Sequence, residues 1–276
     1  MRVDCDVPLV RGIVLAYRNY YREALLHQEG RQIWEKKLQH QVRAIAGEFG
    51  ISKARRIKWN ELERCLTKEF KRLGYFALFG RVSPFLSLLV WRSQKEKFFH
   101  VPLLESKQKV RVILLDQFVE LGWMHFATFG RYYIGGWAKK DALYCVSQAY
   151  KRKYDSEAFR VSYLTHEAQH FSDYKRFPGL AQVDLEYRAK LAELITSRDG
   201  HSLLRKFRAE ARSDDALPHC FAAYKIMEGV GTRSGSKVRQ FAVDAMEEHS
   251  RSLMHGHRPN PRRFQRITLV AQGMAR

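Results

Sequence analysis

The chain has 276 residues, 45% of them hydrophobic, with only 17 glycines and 7 prolines, a composition that excludes collagen-like and largely disordered architectures. Its 49 Lys and Arg against 29 Asp and Glu give a formal charge of +20, which favours encounters with polyanions such as nucleic acid but does not identify any chemistry. No run approaches the roughly 20 apolar residues of a membrane helix, and Cys5, Cys65, Cys145 and Cys220 lie too far apart for a disulfide framework or a cysteine zinc knuckle.

At the N-terminus, Asp4 and Asp6 stand where a signal peptide would need a basic end and an apolar run, so the chain is read as cytoplasmic. Over residues 8–48, Val14, Tyr17, Tyr21 and Leu25, then Ile33, Leu38, Val42 and Ile45, recur at three- and four-residue spacing, which predicts helix up to Gly50. Trp59–Leu73 is a second amphipathic helix, with Asn60 as N-cap and Gly74 beyond its end. The texture changes at Tyr75. Phe85–Trp91, Lys97–Leu104, Val110–Leu121 and Trp123–Phe129 are rich in valine, leucine and aromatics and predict a mostly antiparallel sheet, helix being the alternative for Val110–Leu121. Gly130, Gly135 and Gly136 punctuate the next segment, and Lys139–Tyr144 returns as a strand or turn. From Ser156 to about Met246 the pattern is helical. Residues 1–75 therefore form a basic helical part ahead of a second unit over 76–276, although no linker marks the boundary.

The segment that carries chemistry is Thr165-His166-Glu167-Ala168-Gln169-His170, a His-Glu-x-x-His pattern. On a helix, positions i and i+4 stack one turn apart, so both imidazoles reach one ion while Glu167 faces a water that the ion activates. Ser156 caps that helix, expected over 157–175, with Glu157 in its first turn, and no proline intervenes before Pro178. Phe159, Tyr163, Leu164 and Phe171 give it an apolar face, which favours a buried metal site over an accidental surface pattern.

Two histidines leave a catalytic zinc site one protein ligand short. The metzincin continuation fails, because Asp173 and Arg176 occupy the positions of its glycine and third ligand, and the next histidine is as far away as His201. An acidic ligand from the following helix, 185–196 with Asp184 as N-cap, remains. Glu186 and Glu193 share a face of that helix, seven residues apart, with the small Ala189 between them.

This arrangement resembles the gluzincin branch of the zincin-type zinc metallopeptidases. The resemblance covers about residues 110–196. It implies an α+β zincin-like fold with one Zn2+ per chain held by His166, His170 and Glu186, and Glu167 as general base of a peptide-hydrolysing enzyme. Two departures keep Glu193 open as the third ligand: the gap from His170 is short, and Lys190 stands where the family often has an acid. Asp173 or Glu193 could instead hold a ligand histidine by its free N–H. Gly135, Gly136 and Trp137 are candidates for a strand edge that binds substrate, the alternative being a plain Gly-Gly turn. His219 and Tyr224 are candidates for stabilising a tetrahedral oxyanion, ahead of His201, Tyr163, Tyr174 and Tyr187.

His255 and His257 read as an exposed turn, and the Arg258–Arg266 tail as a solvated or polyanion-contacting segment. The expectation is thus a cytoplasmic zinc metallopeptidase acting on a peptide or protein. Two other classes are open: a basic nucleic-acid-associated binding protein, and a structural zinc module without catalysis.

Overall fold

The N-terminal apolar stripe forms two helices rather than one: α1 (Pro8–Leu26) and α2 (Arg31–Glu48). Gly30 sits between them at φ 84°, a left-handed turn that lets α2 fold back on α1. In α3 (Trp59–Arg72), Leu62, Leu66 and Phe70 repeat every four residues and are buried. Asn60 lies inside its first turn. The cap position is Lys58, whose backbone N–H donates to Glu61 Oε2 at 3.3 Å. Gly74, at φ 82°, follows the helix as the sequence suggested. The computed structural model describes residues 3–27, 29–51, 54–139 and 142–256, and the backbone of 269–273.

The chain then builds a six-stranded sheet in the order β1-β2-β3-β5-β4-β6. β1 (Phe76–Val82), which the periodicity did not single out, pairs antiparallel with β2 from Phe76↔Trp91 to Val82↔Phe85. β2 (Phe85–Pro102) is one strand where two were expected. Its polar middle stays on the sheet because β3 (Lys107–Leu121) pairs with it from Ser93 to Lys97, while β1 stops at Trp91. Trp123–Phe129 is not a strand. Gly122 (φ 84°) turns the chain into the short α4 (Trp123–Ala127), with Trp123 Nε1 donating to the Val82 carbonyl at 2.9 Å and Phe126 against Tyr21. The aromatics there serve the N-terminal core, and their β-propensity misled. β4 (Tyr132–Lys139) and β5 (Ala142–Val146) pair antiparallel, whereas β3 and β5 are parallel. β6 (Leu269–Gly273) adds to the far side of β4. The fold is therefore mixed α+β, mostly antiparallel with one parallel pair.

The remaining helices are α5 (Glu157–Phe159), running through a π-helical segment Arg160–Thr165 into α6 (His166–Arg176), then α7 (Gln182–Thr196), α8 (Gly200–Glu210), α9 (Pro218–Val230) and α10 (Ser236–Gly256). α7 begins two residues before Asp184, which lies in its first turn rather than at its cap. Packed against α6, α9 and α10, it is buried on all sides, so even Arg188 and Lys190 are inaccessible. One apolar core joins α1–α3 to Phe85, Leu86, Leu88 and Val90, crossing residue 75. A second lies between the sheet and residues 159–168, and a third gathers α7–α10. Among the described residues no cysteine is bridged, and no helix is long and apolar enough to cross a membrane. His255 is exposed in the last turn of α10. His257 and the Arg258–Arg266 tail lie outside the described residues.

Candidate metal centre

Ser156 caps the motif helix as its sequence predicts: its Oγ accepts from the Phe159 backbone N–H at 3.3 Å. The π-helical segment that follows, with Thr165 Oγ1 donating to the Arg160 carbonyl at 2.9 Å, was not legible in the sequence. Such segments recur at functional sites because they re-aim the helix beyond them. Here they sit immediately before His166. Phe159 and Tyr163 anchor this run to the sheet side against Tyr150.

On α6 the four-residue spacing puts both imidazoles on one face, with Nε2 of His166 and Nε2 of His170 only 3.1 Å apart. From α7, Glu186 brings Oε2 to 3.3 Å from His166 Nε2 and Oε1 to 3.7 Å from His170 Nε2. The carboxylate faces each ring with a different oxygen, Oε2 toward His166 and Oε1 toward His170, and the chemistry of the set, two imidazoles and a carboxylate, fits a divalent zinc-like ion. Ala189, fully buried between Glu186 and Glu193, presents only a methyl group to its surroundings.

Glu193 stands elsewhere. Its Oε1 accepts from Nδ1 of His166 at 2.7 Å, on the opposite edge of the ring from Nε2. The carboxylate thereby holds a proton on Nδ1, and Nε2 is the nitrogen turned toward His170 and Glu186. Burial opposes a charge on His166, but hydrogen bonds and charge from Glu186 and Glu193 outweigh it and raise its pKa to about 10. Burial drives His170 the other way, to about 4. Glu186 is held well below the usual carboxylate range, because the histidines overcome the cost of its burial.

Glu167 is buried beside them, its Oε1 without a hydrogen-bond partner among the described residues. Burial raises its pKa to about 7; His166 opposes the rise, and the negative charges of Glu186 and Glu193 add to it. A carboxyl poised near neutrality is suited to accept and return protons.

Of the oxyanion candidates, only His219 joins the cluster. It enters from the first turn of α9, with Nδ1 3.0 Å from Glu186 Oε2 and Nε2 3.3 Å from Lys190 Nζ and 3.6 Å from Glu210 Oε2. Lys190, buried under the Phe207 ring, is paired with Glu210. Tyr224 turns to Glu228 on its own helix. His201 is exposed at the start of α8, Tyr187 meets His249, and Tyr174 stacks on His170 at 6.3 Å between ring centres.

Asp173 does not hold a ligand histidine. It accepts from Gln169 Nε2 and from Arg188 Nε, both at 2.9 Å. Arg188 is fully buried, and its other nitrogens donate to Ser250 Oγ and to Glu105 Oε2, each at 2.8 Å, over the face of Phe177. This network ties α6 and α7 to α10 and to the β2–β3 turn. Sequence reasoning missed it, because nothing in an i, i+4 pattern marks a buried arginine.

Gly135, Gly136 and Trp137 do not form a free edge. β4 lies between β5 and β6, so the chain occupies both of its hydrogen-bonding sides. Gly136 is small for a packing reason. A methyl group there would stand 2.6 Å from the Tyr144 carbonyl oxygen and 2.8 Å from the Tyr163 ring. Trp137 is fully buried, stacked on Tyr144.

Comparison of the chain with protein-family models, with curated proteins and with solved structures finds no match.

Proposed function

We propose that this protein is a zinc-dependent hydrolase of amide bonds, most simply a peptidase, with a zincin-like arrangement of α6 and α7. The observation that carries the reading is the convergence of His166 Nε2, His170 Nε2 and the Glu186 carboxylate at 3.1–3.7 Å. A divalent ion held by these three groups would supply Lewis acidity to the scissile carbonyl and to water. Glu193 orients His166 by accepting from its Nδ1, so that Nε2 is the nitrogen left to meet an ion. Glu167, fully buried next to His166, takes the proton of the attacking water and returns it to the leaving amine. Its raised pKa keeps both halves of that exchange within reach near neutrality.

Elemental analysis of wild type, His170→Ala, Glu186→Ala and Glu193→Ala, with cleavage of an unstructured protein substrate in parallel, tests this. One zinc per chain in wild type, lost with His170→Ala and Glu186→Ala, is the expected result. Wild type that holds no zinc after supplementation overturns the reading.

A second reading, binding of a polyanion such as nucleic acid, is favoured by the outer half of the β2–β3 hairpin. Lys95, Lys97, His100, Lys107 and Lys109 are exposed there beside the exposed Phe98, and the nearby Glu96 is paired with Arg111. Polynucleotide affinity that falls steeply with salt and with charge reversal at Lys97 and Lys109 supports it. Salt-independent or absent binding rejects it.

A further inference from the structure

One member of the cluster differs from the rest in its exposure. His166, Glu167, His170, Glu186 and Glu193 are each at most 4% exposed, whereas the His219 side chain is 45% exposed. His219 is thus the member of the cluster that meets solvent. Its geometry is that of a ligand. Donor atoms of His166, Glu186 and His219 fall within 4.8 Å of one another, a group that His170 adjoins through its 3.1 Å contact with His166 without being part of it, and Nδ1 is 3.0 Å from Glu186 Oε2. Its other nitrogen stands beside the Lys190–Glu210 pair, 3.3 Å from Nζ and 3.6 Å from Oε2.

We infer that His219 is a fourth protein ligand that closes the centre at rest and swings out to admit substrate. The inference rests on the metal-site reading above. Sites with four protein ligands are inert and structural, whereas those with three keep a position for chemistry. Residue 219 decides between the two states. A small motion suffices, because Ala222, Ala223, Ile226 and Val230 hold α9 in the core without help from His219.

The test uses Co2+ as the probe on the full chain, comparing wild type, His219→Ala and His170→Ala for affinity, visible absorption and response to azide and imidazole. Circular dichroism serves as the folding control. The expected result is that wild type binds one Co2+ with a spectrum insensitive to azide. His219→Ala binds at least roughly 10-fold more weakly, has an altered spectrum that responds to azide, and regains the wild-type spectrum with imidazole. An unchanged affinity and spectrum in folded His219→Ala would overturn the inference while leaving the metal site standing, as would a loss of binding that imidazole does not restore. Wild type that binds no Co2+ would remove the inference together with the reading beneath it.

Discussion

Nδ1 of His166 and Oε1 of Glu193 stand 2.7 Å apart in a setting from which both side chains are almost wholly excluded from water. The contact fixes which nitrogen of His166 carries the proton, and so which nitrogen can face an ion with a lone pair. Glu193 and Glu186 come from the same face of α7, seven residues apart, yet they meet opposite edges of one imidazole. Identical side chains on one helix face thereby take different roles, and the two should separate experimentally. Glu193→Gln is expected to keep full zinc occupancy at saturation and to weaken affinity about 10- to 100-fold. Glu186→Ala should lose bound zinc outright. Competition against a chromophoric chelator measures both, and equal affinities for wild type and Glu193→Gln would contradict the assignment.

Glu167→Gln preserves size and leaves the ligands untouched. Its zinc content should equal that of wild type while hydrolysis of a cleaved substrate falls by about 10²- to 10⁴-fold, the usual contribution of a positioned base. Parallel metal analysis and initial rates decide this. Activity retained in the variant would remove Glu167 from the mechanism.

The Arg188 network predicts an asymmetry between truncation and apolar replacement. Arg188→Ala strands Asp173, which is already raised by burial against the attraction of Arg188, and should cost about 3–5 kcal/mol. Arg188→Met paired with Asp173→Leu removes both charges and should recover much of that loss. Chemical denaturation of the three proteins measures it. Equal destabilisation of the single and double variants would show that the charges matter less than the shape.

The same network sets a pH dependence. Burial raises the pKa of Glu105, but hydrogen bonds from Ser250, Arg176 and Arg188, with the charge of Arg188, outweigh it and hold the carboxyl below its ordinary range. A group depressed on folding contributes stability above its unfolded pKa and loses it as pH falls through its folded value. The gap in stability between wild type and Glu105→Gln should therefore be largest near neutrality and shrink toward about pH 3. Urea midpoints at a series of pH values, taken for both proteins, test the sign. A gap that widens on acidification would refute it.

Gly136 offers a prediction about packing alone. Gly136→Ala drives a methyl group into the Tyr144 carbonyl and the Tyr163 ring, and overpacking of this kind costs about 1–3 kcal/mol. Because Tyr163 lies in the π-helical segment that leads into His166, zinc affinity should fall with thermal stability. Replacing Tyr163 with a smaller residue in the Gly136→Ala background should restore some of both, and failure to do so would place the strain elsewhere.

Local periodicity marked most of the helices and the strands β2 and β3, because apolar spacing of three to four or of two residues follows directly from backbone geometry. Leu62, Leu66 and Phe70 in α3 and the Ser156 cap are cases where the residues at hand decide the element. The aromatic run at 123–129 went the other way: Trp123 and Phe126 are apolar for a core built by α1 and β1, more than forty residues away in sequence. β6 also depends on a distant partner, a strand more than one hundred residues earlier.

At the centre the division is equally plain. The spacing His166–His170 needs only the pitch of a helix, so the sequence by itself determined that two imidazoles share a face with Glu167 beside them. Whether Glu186 or Glu193 meets the nitrogens of that face depends on the angle and depth at which α7 crosses α6, which no spacing within α7 encodes. The burial of Arg188 and Lys190 likewise comes from α7 being enclosed by three helices. The arrival of His219, thirty-three residues beyond Glu186, depends on how α9 packs against α7. Short-range geometry is written in the order of residues, whereas the meeting of distant side chains is decided by how their helices dock.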